Sequence, residues 1–284
     1  MASVKNSILQ LHCATSFMDF FMCFLLIFYV WIPSPSGYPA GFMSFIGINS
    51  SIQIFLALNS LVAVGISTVA FFENRYDALV IGNSGRPKYR NIKRIVYFTA
   101  NSLGCSAVIA YIIFEMPDVE AARASLKITQ KCIPHSLIDN PLYINLNVDS
   151  ETIPLLTIAM VTIIFLQGFY FVFYTLYYLF FSVLRVSKHT QRMQKKFFIA
   201  MLLQAFIPLA AFAGPIYYYF FAYRYNYLNQ KYNNFAMIAV GFNGLMTTVV
   251  MVLVQQPYRQ AVSDMLGIWK ETSGRRLSLF IVST

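Results

Sequence analysis

Long apolar stretches separated by short polar links dominate the chain. Six of them are long enough to cross a bilayer: Ser7–Trp31, Gly41–Phe72, Ile95–Phe114, Ile153–Leu184, Phe197–Phe221 and Phe235–Gln255. A hydrocarbon core of roughly 30 Å takes about 20 apolar residues as a helix, and every stretch reaches that length. The pattern predicts an all-α fold, a polytopic membrane helix bundle forming a single domain over residues 1–284. The link Ile32–Ala40, with three prolines and a glycine, reads as a tight turn between helices. Residues 115–152 make the longest loop and have the composition of ordinary soluble chain. Beyond Pro257, Tyr258 and Arg259, the positions Val262, Met265, Leu266 and Trp269 recur at helical spacing. This predicts a short amphipathic helix lying in the membrane plane, within a tail 256–284.

Composition agrees: 58% of residues are hydrophobic and 11% charged, with a mean hydropathy of +0.59, which excludes a water-soluble domain. Charge then orients the spans. Sixteen of the 21 basic residues fall in segments 1–6, 73–94, 185–196 and the tail, while five fall in the alternate links. Six of the eleven acids lie between Glu115 and Glu151. The basic side faces the cytoplasm, so both termini are expected inside and the loop 115–152 outside. The net charge of +10 is then mostly cytoplasmic, facing anionic lipid and acidic partners, and implies no nucleic-acid binding. Aromatic clusters at Phe169–Phe181 and Tyr217–Tyr227 suit the two interfacial belts, with ligand stacking as the other reading.

Enzyme motifs are absent, and the composition implies no cofactor. His12, His135 and His189 are far apart in sequence, so no metal site is expected. Cys13, Cys23, Cys105 and Cys132 make no disulfide framework. Asn49-Ser50-Ser51 matches a glycosylation acceptor but falls inside a span. Asp19 is the one acidic residue within the spans, and a buried carboxylate marks a candidate site because its charge is costly there. By helical rise, Asp19, Asn59 and Asn243 lie at similar depths, roughly 18–20 Å from the cytoplasmic ends of their spans. Three such side chains on three helices are suited to sharing water or a cation. Pro208, eleven residues into the fifth span, removes a backbone hydrogen bond and predicts a kink that serves as a hinge.

Four segments together resemble a seven-helix G-protein-coupled receptor, and more narrowly a nematode serpentine chemoreceptor of class H. Ser3-Val4-Lys5 with Leu11-His12 and Asp19 resembles that family's entry into its second helix. Phe72-Glu73-Asn74-Arg75-Tyr76 resembles its acid–x–Arg motif at the end of the third. Gln194-Lys195-Lys196-Phe197 through Gln204 and Pro208 resembles the sixth, and Gly244-Leu245 through Pro257-Tyr258-Arg259 the end of the seventh. The six spans then correspond to helices two to seven, and the abrupt start suggests that a first helix is missing upstream.

The resemblance implies a plasma-membrane receptor of sensory neurons. It would take a small-molecule ligand among the outer halves of the helices and pass the signal to a heterotrimeric G protein. It makes Glu73, Asn74, Arg75 and Tyr76 the coupling site, with Arg75 a switch held by Glu73 at rest. The cysteine usual at the outer start of the third helix is absent from Gly37–Phe45, so Cys132 lacks its expected partner. A six-span channel or transporter is the alternative, weakened by the lack of repeats and of a re-entrant segment. An inert receptor remnant is the third reading.

Overall fold

The computed structural model describes residues 2–32, 34–81, 88–129, 133–145, 152–181, 217–254 and 256–265, with isolated positions between 192 and 215. In order the elements are α1 (Ala2–Phe20), continued by a π-helical segment Phe21–Leu26, then β1 (Phe28–Trp31), β2 (Ser36–Pro39), α2 (Phe42–Phe45) and α3 (Ser50–Tyr76). There follow α4 (Arg90–Phe114), α5 (Val119–Thr129), α6 (His135–Ile138), β3 (Ile144–Asn145), α7 (Thr152–Phe181), α8 (Gln230–Gly241), α9 (Asn243–Val254) and α10 (Gln256–Met265). Four stretches among the described residues are helical, long and apolar enough to cross a membrane: Leu9–Leu26, Ser50–Leu79, Arg90–Phe114 and Leu155–Phe181. The large side chains that α7 leaves exposed, among them Leu155, Phe169, Phe173 and Phe181, have the chemistry of a lipid-facing surface.

Helix α3 is the hub, packing against α1, α4 and α7. Toward one end Phe71, Phe72, Leu179 and Phe198 form a buried cluster; in its middle Val62 packs with Cys105 and Ile109 of α4. Near the other end Ala57 joins Phe21, Leu26 and Met43. Small side chains on α3, with Ser60 and Ser67 buried beside Ala57, let its neighbours approach closely.

Several span limits differ from those expected. The first helix ends at Leu26 rather than Trp31: Ile27 takes a left-handed conformation (φ 39°) and the chain leaves as a strand. The proline-rich link is accordingly a β-hairpin rather than a bare turn, pairing Tyr29 with Tyr38 and Trp31 with Ser36. Strand β3 adds to its edge, Gly37 opposite Ile144, so a small antiparallel sheet supplements the helices. The second span is broken at Gly47 (φ 80°), a backbone position that side chains disfavour. It restarts at Ser50 with Asn49 as N-cap, its side chain accepting from the Ser51 N–H at 2.8 Å. Asn49 therefore sits at a helix end and not within a span. The third helix begins at Arg90, a turn before Ile95. The sixth stretch is interrupted at Phe242 between α8 and α9. The tail forms a helix that starts at Gln256, with Pro257 in its first turn, where a missing N–H costs nothing. Leu266, Trp269, Cys132 and Pro208 lie outside the described residues.

The soluble composition of residues 115–152 has a structural cause. Helices α5 and α6 and strand β3 fold back on the hairpin around a core of Trp31, Ala122, Leu126, Leu137 and Tyr143. Arg123 lies 5.9 Å from the centre of the Tyr143 ring and donates to the Asn140 carbonyl. Burial pushes the Tyr143 phenol up, opposed by Ser36 and the Arg123 charge. This cap is tied to the bundle by polar contacts. Ser50 donates to the Leu142 carbonyl at 2.8 Å, and Gln230 to the Val30 carbonyl at 2.9 Å. Asn233, fully buried, donates to the Ile32 carbonyl at 3.3 Å and accepts from the Tyr218 hydroxyl at 2.9 Å.

Removing the Asn233 side chain takes the donor from the buried Ile32 carbonyl, at about 1–3 kcal/mol, while the half-buried Tyr218 hydroxyl keeps its bond to the Asn229 carbonyl. Asn233→Ala is expected to lower the thermal unfolding midpoint of the protein in detergent by several degrees. A midpoint equal to that of the parent would show that the tether carries no stability.

Candidate functional site

At the C-terminal end of α3, Glu73 and Asp77 are four residues apart, one helical turn, and share a face. Arg90 and Arg94 have the same spacing at the start of α4. The two stripes interlock. Arg90 contacts Glu73 Oε1 at 2.5 Å and Asp77 Oδ1 at 3.0 Å, and Arg94 contacts Glu73 Oε2 at 2.7 Å. Arg94 also donates to Asn74 Oδ1 at 3.2 Å, and the Asn74 amide reaches Ser7 of α1. Glu73 and Asp77 are only 2% and 3% exposed, so both carboxylates depend on these guanidinium groups. One network thus joins α1, α3 and α4.

This arrangement corrects the expected Glu73–Arg75 pair. Both Glu73 oxygens are directed to α4, because residues two apart on a helix point to different sides. Arg75 is half-buried on another face of α3. Tyr76 packs into the aromatic cluster of α7, its ring centre 5.6 Å from Phe171 and 6.3 Å from Tyr170. The stripe partners Arg90 and Arg94 were missed in the sequence. Their signal was available: two arginines at helical spacing just after two acids at the same spacing.

The intramembrane polar groups divide in two. Asp19 of α1 lies against the start of α9, where the carboxylate accepts from the Gly244 backbone N–H. A helix beginning at Asn243 has first-turn N–H groups without intrahelical acceptors, and Asp19 supplies one from a neighbouring helix. A Cβ added at Gly244 would fall 1.4 Å from the carboxylate, so glycine is what permits the approach. Asn243 is buried beside it, and Asp19 Oδ1 and Asn243 Oδ1 have no hydrogen-bond partner among the described residues. Asn59 does not join them. Its Oδ1 accepts from Ser106 of α4 at 2.5 Å and its amide donates to the Phe55 carbonyl. A second bond missed in the sequence, Gln167 of α7 to Asn101 of α4 at 2.8 Å, continues that seam. Intramembrane amides were its signal, since each needs a partner where there is no water.

Arg259 is exposed on α10, while Pro208 and the side chains of Pro257 and Tyr258 lie outside the described residues. Cys13, Cys23 and Cys105 are free thiols. Among the described residues, no three His, Cys, Asp or Glu side chains gather to hold a metal.

Apolar helices around a central α3, closed by charge at one end, define a multi-pass membrane protein of the helical receptor class. The family model of the serpentine type 7TM GPCR chemoreceptor Srh matches residues 1–268, and the chain belongs to that family. It is 22% identical over 274 residues to serpentine receptor class H-72 of Caenorhabditis elegans, covering 96% of this chain and 78% of that one. No solved structure matches it at a significant level. The family favours a receptor over a channel or transporter, and its members are typically not enzymes.

If Asp19 and Gly244 are in contact, their substitutions are not additive. Gly244→Ala is expected to cost about 1–3 kcal/mol by overpacking, and markedly less once Asp19→Ala has removed the carboxylate. Additive costs in a double-mutant cycle, read from unfolding in detergent, would place the two residues apart.

Proposed function

We propose that the protein is a chemosensory G-protein-coupled receptor of the plasma membrane, expressed in sensory neurons. An external small molecule binds among the outer halves of the helices, beneath the cap built from β1, β2, α5, α6 and β3. Binding shifts the bundle toward a state that admits a heterotrimeric G protein at the opposite end. Such a shift requires the ligand to contact the two states differently. The observation that carries the reading, within a family of chemoreceptors, is the charged lock at the inner end of α3. Glu73 and Asp77 clamp α4 there, on the helix that also bears Asn74, Arg75 and Tyr76.

A pairing of two carboxylates with two guanidiniums has alternatives close in energy, because each partner is equally charged and one turn away. Arg75 lies on a different face from the lock, and a partner protein would reach it as α3 and α4 separate. In this mechanism Glu73 holds α4 rather than Arg75. Pro208 is proposed as the hinge of the fifth span, and Pro257, Tyr258 and Arg259 as the inner end of the last.

Two measurements test the reading. With both termini inside, an epitope tag after Thr284 is expected to stain only permeabilised cells, and one inserted near Ser136 to stain intact cells. The reverse pattern would overturn the orientation. Arg75→Ala is expected to reduce G-protein activation at least tenfold, about 1.4 kcal/mol of coupling, at matched surface levels in the receptor as expressed. Unchanged activation would remove Arg75 from the coupling site.

A further inference from the structure

The lock leaves a cleft beside it, about 270 Å³ in volume, lined by Glu73, Arg90, Lys93, Arg94, Tyr97 and Phe171. That volume is just below the usual range for whole small-molecule ligands and suits a headgroup. Its charges do not cancel. Glu73 and Asp77 are matched by Arg90 and Arg94, whereas Lys93 is exposed and has no carboxylate within ion-pair distance among the described residues. Arg94 Nε is buried without an acceptor among the described residues, a deficit of the kind that costs about 1–3 kcal/mol when left unmet. Helix α4 starts here with Tyr89 as N-cap, which provides no side-chain cap, so the positive end of its dipole adds to the field. The cleft therefore offers a free cation, an unsatisfied donor and a helix N-terminus, all of which favour an anion.

Its apolar wall identifies the source. Tyr97 lies a turn beyond Lys93, roughly 6 Å further along α4, and Phe171 faces it from α7. The residues around Lys93, with Tyr89 and Ile92 exposed, present the mix of cation, ring and aliphatic side chain that suits a headgroup boundary. We propose that this cleft binds the phosphate of an anionic lipid in the inner leaflet, Lys93 and Arg94 holding the phosphate and Tyr97 and Phe171 the glycerol end. Occupancy adds a charge beside the lock and competes with Glu73 for Arg94. The leaflet rests on the orientation proposed above; the binding itself does not.

The experiment titrates short-chain phosphatidic acid into the purified full chain in phosphatidylcholine nanodiscs, read by native mass spectrometry. Both leaflets are accessible there and no G protein is present, so failure of the receptor reading does not affect the result. Lys93→Gln is expected to weaken binding about fivefold, the contribution of one cation near a membrane surface, and Lys93→Arg to retain it. Lys88→Gln removes a neighbouring surface charge outside the cleft and is expected to leave binding unchanged. Equal losses in Lys93→Gln and Lys88→Gln would reduce the effect to diffuse attraction, and no loss in Lys93→Gln would remove the site. Displacement of the lipid by equimolar inorganic phosphate would make the cleft a soluble-anion site and overturn the lipid assignment.

Discussion

A carboxylate that is 2% exposed at the end of an apolar helix must be matched, and Glu73 is matched twice. Desolvating the charge costs several kcal/mol, and the cost is offset only when good geometry and further hydrogen bonds surround it. Arg90 hydrogen-bonds Oε1 and Arg94 sets its charge 2.7 Å from Oε2, which fixes the rotation of α4 about its axis: the face that carries these arginines must turn to α3. The same rotation turns Cys105 and Ile109 toward Val62, and Ser106 toward Asn59. The apolar packing of α4, otherwise an exposed helix among lipid, follows from a charge match at its first two turns. Breaking the match from one side leaves a buried charge alone, which is strongly unfavourable.

Hydropathy located the four helices among the described residues that are long and apolar enough to cross a membrane, because burial in lipid asks only for length and apolar character. Local breaks lay below that resolution. Phe28-Tyr29-Val30-Trp31 is apolar enough to extend a span, but aromatic and β-branched residues before a proline-rich link are equally a strand. Its pairing with Ser36–Pro39 settled the matter through contacts that no window average contains. Gly47 was legible as a breaker only together with Asn49 as the cap that restarts the helix. Ile27 carried no such signal, since a left-handed isoleucine is disfavoured by its own side chain; that side chain is exposed, and the backbone is held by the Ile27 N–H donating to Met22 and its carbonyl accepting from Ala40.

The polar residues show a different limit. Equal depth was a sound inference from the helical rise, yet it fixes height and not direction. Asp19 and Gly244 meet because α1 borders the start of α9, whereas Asn59 looks the other way, to Ser106 on α4. Direction depends on which helices are neighbours, and that is tertiary information. The glycine at 244 held a trace of it: a residue without Cβ after Asn243, in an apolar run, marks a place where another group comes close. Likewise Glu73 and Arg75 are near in sequence and diverge in space, so a motif read as a pair is two side chains on two faces.

Helix α3 touches both ends of the molecule. Its first residue, Ser50, donates to the cap at Leu142, and its last turns carry the lock. A helix of 27 residues is a rod of roughly 40 Å, stiff enough to carry a small displacement without absorbing it. At the cap end Asn233 of α8 ties the hairpin to Tyr218, so the cap cannot tilt without moving those elements as well. On the proposed reading, a ligand that alters the cap's seat on α3 therefore acts on a rigid lever whose far end is held by charge. Continuous deformation is resisted by the packed middle around Val62 and Ile109, and the buried ion pairs tolerate no partial separation. What remains is a rotation or shift of α3 as a body, which the charged stripes either accept in register or release.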